Sequence, residues 1–329
     1  MDERLYLVTG ATGFVGSEVV RQLIEAGKRV RVVIREESKA ARLRSFSAEV
    51  CRGDLTDMAS LRQSVQGVWG VFHIGAVYRE TGLSRRYFFE VNAEGTRRLL
   101  EASIEAGVKR FIHCSTGGVL GDIKNPPGDD RSPYAPDDVY QESKVEGEKI
   151  ALSYFKEGRI KGVVIRPAMI YGPHDTRFLK LFRMIAKGIF LHVGSGKQWV
   201  HYVDVRDLAK AFLLAMEKDH LNGEIYCIAG RQAVSFEEMV NLVADTLGVK
   251  RPAWHIPLKP LQWLGSICEK VCEPLGIRPP LYRRRVDFFA KNRIFSIEKA
   301  RTELGYEPRQ SLQDEVRDVC SWYGERGLI

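Results

Sequence analysis

Tyr140 and Lys144 stand four residues apart in the segment Tyr140-Gln141-Glu142-Ser143-Lys144. On a helix, that spacing puts both side chains on one face. A tyrosine near its reference pKa of about 10 is a poor base at neutral pH. An ammonium one turn away favours the phenolate, so the phenol can exchange a proton with a substrate hydroxyl. The same spacing also describes an ordinary exposed pair, and it is the company it keeps that raises it above one. Upstream, the apolar run at 111–114 ends in Ser115-Thr116-Gly117-Gly118. Two hydroxyls at a strand's carboxyl end either hold a substrate oxygen or make a turn.

The chain opens with a second chemical signal, Thr9-Gly10-Ala11-Thr12-Gly13-Phe14-Val15-Gly16. Leu5, Leu7 and Val8 before it read as a buried strand. Val15, Val19, Val20, Leu23 and Ile24 recur at helical spacing after it. In such a turn Gly10 permits the bend, Gly13 lets the backbone approach a pyrophosphate, and Gly16 lets helix and strand pack closely. The helix N-terminus then attracts the anion. A dinucleotide is the implied ligand, and its nicotinamide would lie beside Tyr140.

Further contacts follow from the same geometry. The second strand ends Val32-Val33-Ile34-Arg35-Glu36. An arginine there accommodates a 2′-phosphate, whereas an acid binds ribose hydroxyls. Arg35, with Lys39 and Arg42 nearby, favours NADP; a strand one residue longer would give the ribose to Glu36 and make the cofactor NAD. Asp54 and Leu55 end the third strand, positioned to meet an adenine or to cap the next helix, a task Thr56 or Asp57 could also perform. Ile74, Gly75 and Ala76 end the fourth strand and let a cofactor lie against backbone. His73 reads as a satisfied core histidine. Pro167, Ala168, Met169 and Ile170 end the sixth strand, where backbone could meet the nicotinamide carboxamide.

These positions need a frame. Apolar runs near 30–34, 48–52, 68–74, 109–114 and 160–165 read as buried parallel strands. Helical patterns lie between them, clearest at 84–106 and 137–158. The alternation predicts an α/β, doubly wound Rossmann-type parallel sheet with a smaller, mostly α C-terminal substrate lobe. The dinucleotide-binding domain is expected over 1–170, with returning segments near 199–229, and the substrate lobe mainly over 171–329. Residues 175–187 read as helix; the segment 125–130 reads as a surface loop. The helix from Pro257 to Cys272 carries Leu258, Leu261, Trp263, Leu264, Ile267 and Val271. It could line a greasy pocket, lie on a membrane surface or pack in a core.

A chain of 329 residues, 44% hydrophobic, has enough apolar surface for two lobes. No apolar run is long enough for a membrane span, and no signal peptide precedes the first strand. The net charge of +8 reads first as a solvated basic surface and also suits acidic partners: a phosphorylated cofactor, an anionic membrane surface or nucleic acid. No nucleic-acid motif accompanies it, and Arg283-Arg284-Arg285 reads as a solvated run. The six cysteines show no CxxC pair and no metal-ligand spacing with histidine, so no metal is expected and a reduced, cytoplasmic setting is. Cys51, Cys114 and Cys227 read as buried thiols, and Cys268 and Cys272 as sharing a helix face.

With the glycine-rich segment 9–16, Asp54, the Tyr140–Lys144 pair and segment 166–173 in this order, the chain resembles an extended short-chain dehydrogenase/reductase. That superfamily includes the NAD-dependent epimerases and dehydratases. The resemblance spans nearly the whole chain and implies a Rossmann sheet carrying a variable substrate lobe. It makes Tyr140 the acid/base and Lys144 its partner and a ribose ligand. Alignment through Val119 and Gly121 puts Thr116 at the catalytic hydroxyl position, with Ser115 in support. Family dehydratases carry Asp-Glu where Gly117 and Gly118 stand here, which argues against sugar dehydration. Nucleotide-sugar members place a diphosphate-binding arginine where alignment puts Val200; Arg206 does not replace it, and Lys197 is a weaker substitute. The chain is most similar to the dihydroflavonol reductase and 3β-hydroxysteroid dehydrogenase-like branch. The expectation is an NADP-dependent (alternatively NAD-dependent) oxidoreductase acting on an apolar secondary alcohol or ketone, assembled as a homodimer. A nucleotide-sugar epimerase is the alternative, and a non-catalytic dinucleotide-binding regulator a third.

Overall fold

The computed structural model describes residues 3–36, 46–78, 82–272, 277 and 279–329. β1 (Leu5–Thr9) is buried along its whole length and leads through the glycine turn into α1 (Phe14–Glu25). β2 (Arg29–Ile34), β3 (Glu49–Arg52), α2 (Met58–Ser64) and β4 (Gly70–His73) follow. Next come α3 (Arg85–Phe89), a π turn (Glu90–Glu94) and α4 (Gly95–Glu105), joined end to end. β5 (Arg110–Cys114) ends in a 3-10 turn at Gly117–Leu120, then α5 (Val139–Lys156) and β6 (Lys161–Pro167) complete the first unit.

The chain then builds β7 (Met169–Tyr171), α6 (Leu179–Ala186), β8 (His192–Val193), β9 (Trp199–Asp204) and α7 (Val205–Glu217). β10 (Ile225–Ile228), β11 (Ala233–Ser235), α8 (Phe236–Thr246), β12 (His255–Ile256) and α9 (Leu258–Cys272) follow, with α10 (Arg283–Asp287) and α11 (Leu312–Gly324) last.

Seven strands form one parallel sheet in the order β10-β6-β5-β4-β1-β2-β3. The order reverses between β1 and β4, and ligands of such sheets bind in the crevice at that switch point. One face carries α1 and α7 over Val8, Val32, Phe72, Ile112 and Ile165; the other carries α2, α4 and α5 over Leu7, Val71, Phe111 and Val164. The chain thus returns to this sheet after leaving it, through α7 and β10. The remaining strands make two small sheets, β11-β9-β7 and β12-β8. Their core gathers Tyr171, Phe182, Phe236, Met239, Val316 and Tyr323, with α6, α8 and α11 around it.

Four expectations change in detail. Segment 84–106 is not one uninterrupted α-helix, because the π turn widens it at Asn92. Helix 175–187 begins only at Leu179, because the Asp175 carboxylate takes the Arg177 amide at 2.7 Å and holds its guanidinium. β3 lies at the sheet edge, so Cys51 is partly exposed whereas Cys114 and Cys227 are buried. α9 buries only Gly265 and exposes Trp263, Leu264, Ile267 and Val271. None of its residues lines the cleft described below, among the described residues, and no helix there is long and apolar enough to cross a membrane.

Candidate active site

A cleft of about 670 Å³ runs across the carboxyl ends of the parallel strands. Gly10, Thr12, Gly13, Phe14, Val15 and Gly16 form its floor at the β1–α1 turn. Gly10 has φ +70°, and a Cβ there would come within 2.7 Å of the Gly75 nitrogen. A Cβ on Gly16 would run into the Gly10 carbonyl. The two strands flanking the switch point therefore touch backbone to backbone. Gly13 caps α1 without a side-chain bond, which leaves the first-turn amides for an anion.

Thr9, which opens the glycine motif but was given no role of its own, ties this turn to the neighbouring strand. Its Oγ1 accepts from the Ile74 and Gly75 amides at 3.1 and 3.0 Å and meets His73 Nδ1 at 2.9 Å. With two amides donating to it, the hydroxyl must donate to His73 Nδ1, so the ring proton sits on Nε2. That nitrogen donates to Thr96 Oγ1 at 3.0 Å, and Thr96 donates to the Asn92 carbonyl at 2.8 Å. Burial, with Lys144 adding to it, pushes His73 down to about 3, so the ring is neutral. His73 is a satisfied core histidine.

Where β2 and β3 end, Arg35, Asp54 and Leu55 all line the cleft and Glu36 does not. Arg35 is exposed and reaches the Tyr87 hydroxyl at 3.4 Å. Asp54 accepts from the amide and hydroxyl of Thr56, both at 2.8 Å, while Asp57 caps α2. Lys39 and Arg42 lie outside the described residues. Ile74, Gly75 and Ala76 form the wall opposite the glycine turn.

At the other end, Thr116, Tyr140, Pro167, Ala168, Met169 and Ile170 line the same cleft. Asp138 caps α5 through the Gln141 amide, which starts the helix just ahead of Tyr140. The Tyr140 ring meets Tyr78 edge-on at 5.0 Å. Lys144, one turn on, is not in the cleft wall. It is buried and donates to the Cys114 carbonyl at 2.6 Å, because a buried ammonium must find an acceptor and the end of β5 supplies one. Burial holds its proton affinity below the ordinary lysine value, against the pull of Cys114 and Glu148. Thr116 caps the 3-10 turn, accepting from the Gly118 amide at 3.1 Å.

Of the supports of this end, sequence reading named Ser115 and missed Asn92, Ser143 and Glu148. Asn92 binds both backbone groups of Val77 at 2.8 and 3.0 Å and donates to Ser143 Oγ at 2.9 Å; Ser143 donates to the Tyr140 carbonyl at 2.7 Å. Ser115 donates to Glu148, which also takes Tyr134 and a buried Arg166, its Nη2 at 2.6 Å. It also missed Tyr78, Phe178, Phe236, Phe288 and Phe295, an aromatic end to the cleft, with Arg177 and Arg293 among them. Val200 is buried, and neither it nor the exposed Lys197 nor the half-buried Arg206 lines the cleft; Arg206 is taken up by Asp204 and Asp318. Arg293 bridges backbone to Val200, so an arginine does enter the cleft beside that position, from a segment far along the chain.

Residues 6–229 match the NAD dependent epimerase/dehydratase family. The chain belongs to that family. It is an NAD(P)-dependent enzyme of the extended short-chain dehydrogenase/reductase type. This epimerase/dehydratase-family chain is 31% identical over 340 residues to the sterol demethylase protein B of Methylococcus capsulatus, covering 98% of this chain and 99% of that one. It is also 31% identical over 335 residues to the 3 beta-hydroxysteroid dehydrogenase/Delta 5-->4-isomerase of Mycobacterium tuberculosis, covering 96% and 90%. The solved structure of gox2253 superposes with a TM-score of 0.83 at 32% identity, covering 99% of each chain.

The nicotinamide dinucleotide of this family fits the residues present. The Gly10–Gly75 approach leaves a backbone cradle that a Cβ at either glycine would crowd. The uncapped start of α1 suits a pyrophosphate, and one continuous cleft joins Arg35 to Tyr140.

Proposed function

We propose that this enzyme is an NADP-dependent oxidoreductase that interconverts a secondary alcohol and a ketone on a flat, apolar, sterol- or flavonoid-like substrate. The observation that carries the reading is that Thr116 and Tyr140 line one end of the cleft, with the aromatic side chains Phe178, Phe236, Phe288 and Phe295 beyond them. Both relatives named above carry sterol or steroid in their names, which supports the substrate class. When bound, the dinucleotide supplies or accepts a hydride at the carbinol carbon. Thr116 accepts from the Gly118 amide, so its own hydroxyl proton is left to bind the substrate oxygen. Tyr140 gives that oxygen its proton in reduction and takes it in oxidation. The Lys144 ammonium, buried one turn away, favours the phenolate, and Asn92 and Ser143 fix the helix turn that carries Tyr140. Arg35 binds a 2′-phosphate.

Tyr140→Phe is expected to lower turnover roughly 10²-fold or more while cofactor affinity survives, in a screen of steroid and flavonoid alcohols and ketones with NADP⁺ and NADPH. Equal turnover would remove Tyr140 from the chemistry. Arg35→Ala is expected to erase a preference for NADPH over NADH in direct binding; an unchanged preference puts Arg35 outside the phosphate site. The same proposal includes a homodimer through α4 and α5, checked by sedimentation, contact of the exposed α9 face with a membrane surface, checked by vesicle flotation, and a reduced, cytoplasmic setting suited to six free thiols.

Arg293 beside Val200 favours one second reading, a nucleotide-sugar isomerase with a diphosphate at that arginine. It would retain its cofactor and convert substrate without a net change at the nicotinamide absorbance band. The oxidoreductase gives a stoichiometric change.

A further inference from the structure

Away from the catalytic end of the cleft, three segments of the C-terminal lobe bring two imidazoles and a carboxylate together. His192, on β8, is fully buried. Its Nε2 faces the Pro252 carbonyl at 3.2 Å. A carbonyl only accepts, so Nε2 carries the proton and Nδ1 is a bare lone pair. That lone pair is buried and has no hydrogen-bond partner among the described residues. His255, on β12, faces the Gly194 carbonyl with Nδ1 at 3.0 Å, which by the same logic leaves Nε2 as its lone pair. Nε2 lies 3.9 Å from Glu237 Oε1, in the first turn of α8. The three ligand atoms lie within 4.8 Å of one another.

We propose that His192, Glu237 and His255 form a binding site for one zinc-class divalent metal ion that braces the substrate lobe. Metal-ligating histidines characteristically donate their second N–H to a backbone carbonyl or carboxylate, which fixes the tautomer; both histidines here do so. Two imidazoles and a carboxylate suit Zn²⁺ and its first-row neighbours, whereas Ca²⁺ and Mg²⁺ prefer all-oxygen sets. The rings stack at 4.7 Å with 16° between their planes, so binding must tilt and close the pair. His255 and Glu237, 38% and 35% exposed, are the members with room to move, and their exposure leaves a fourth position for water.

The ion would lock three segments that otherwise meet through short pairings. β8 and β12 are two residues each, with His192 opposite His255. Phe236, next to Glu237, lines the cleft, and Phe190 packs on both His192 and Phe236. The site therefore pins one aromatic wall of the cleft without supplying chemistry to it.

The test is calorimetric titration of chelator-treated full chain with Zn²⁺, paired with a Co²⁺ absorption spectrum and a melting curve. One ion per chain is expected, with visible Co²⁺ bands of a nitrogen–oxygen ligand set and a melting temperature raised by Zn²⁺. His255→Ala and Glu237→Gln, both at partly exposed positions, should each weaken binding roughly tenfold or more and abolish the thermal shift. A Cys268→Ser/Cys272→Ser chain should bind as before. No binding, binding untouched by the His255 and Glu237 variants, or a sulfur-to-cobalt charge-transfer band lost in the cysteine variant would each overturn the proposal. None of these readouts depends on the enzyme's substrate.

Discussion

Thr9 serves the cofactor site without touching any group the glycine pattern names for chemistry. One hydroxyl satisfies two amides of the Ile74–Gly75 wall and the acceptor nitrogen of His73. Thr9→Val keeps the shape and strands all three. Leaving buried polar groups without partners costs about 1–3 kcal/mol for a group, so we expect a loss of roughly 2–3 kcal/mol in urea denaturation, together with weaker dinucleotide binding. Thr9→Ser should retain both. A valine variant as stable as the parent would mean that the amides find other partners. The contrast with Gly10, Gly13 and Gly16 shows what a sequence carries at this scale. The glycines act through backbone geometry within one turn, so their spacing is readable. Thr9 acts on residues 64 to 66 positions away, and no local pattern marks it.

At the scale of elements, β5, α5 and β6 are fastened by one buried group. Glu148, on α5, accepts from Ser115 on the strand-end loop and from Arg166 on β6. Neither member of the ion pair is more than 1% exposed. Breaking such a pair leaves an uncompensated buried charge, at about 3–5 kcal/mol. Glu148→Gln should therefore lower the melting temperature sharply, and the displaced Ser115 should loosen Thr116 beside it, raising KM as well. A Gln variant with parental melting would show that Arg166 is satisfied by neutral acceptors, such as the backbone carbonyl of Asp129 it already meets at 3.3 Å. The alternating strands and helices here were legible because each buried strand is an unbroken apolar run. The π turn in segment 84–106 was not, because no residue type of its own marks it. Its cause lies elsewhere, in Gly147 of α5, which admits the Asn92 carbonyl where a Cβ would collide.

Across the whole molecule, the first unit was readable and the second largely was not. Parallel strands buried on both faces declare themselves by composition, whereas the C-terminal lobe uses strands of two and three residues, too short for any period. The cleft's aromatic end is drawn from Phe178, Phe236, Phe288 and Phe295, which only tertiary folding brings together. The same folding docks α11 against β7 through Glu315, which takes the Tyr171 hydroxyl at 2.5 Å. Burial pushes this carboxyl up to about 8, with Asp204 and Asp207 adding to the rise. The folded chain thus keeps a proton that the unfolded chain releases near the ordinary glutamate value of 4.5. Between those two values the folded state binds more protons, so stability falls as pH rises, by at most about 1.4 kcal/mol per pH unit from this group. Below 4.5 its contribution is fully present, and above about 8 it is gone. Glu315→Gln preserves an acceptor for Tyr171 and removes the titration. Its denaturation free energy, measured from pH 5 to 8, should fall less steeply than the parent's. Parallel curves would mean that Glu315 is already ionised in the fold, with Arg206 holding the charge that burial opposes.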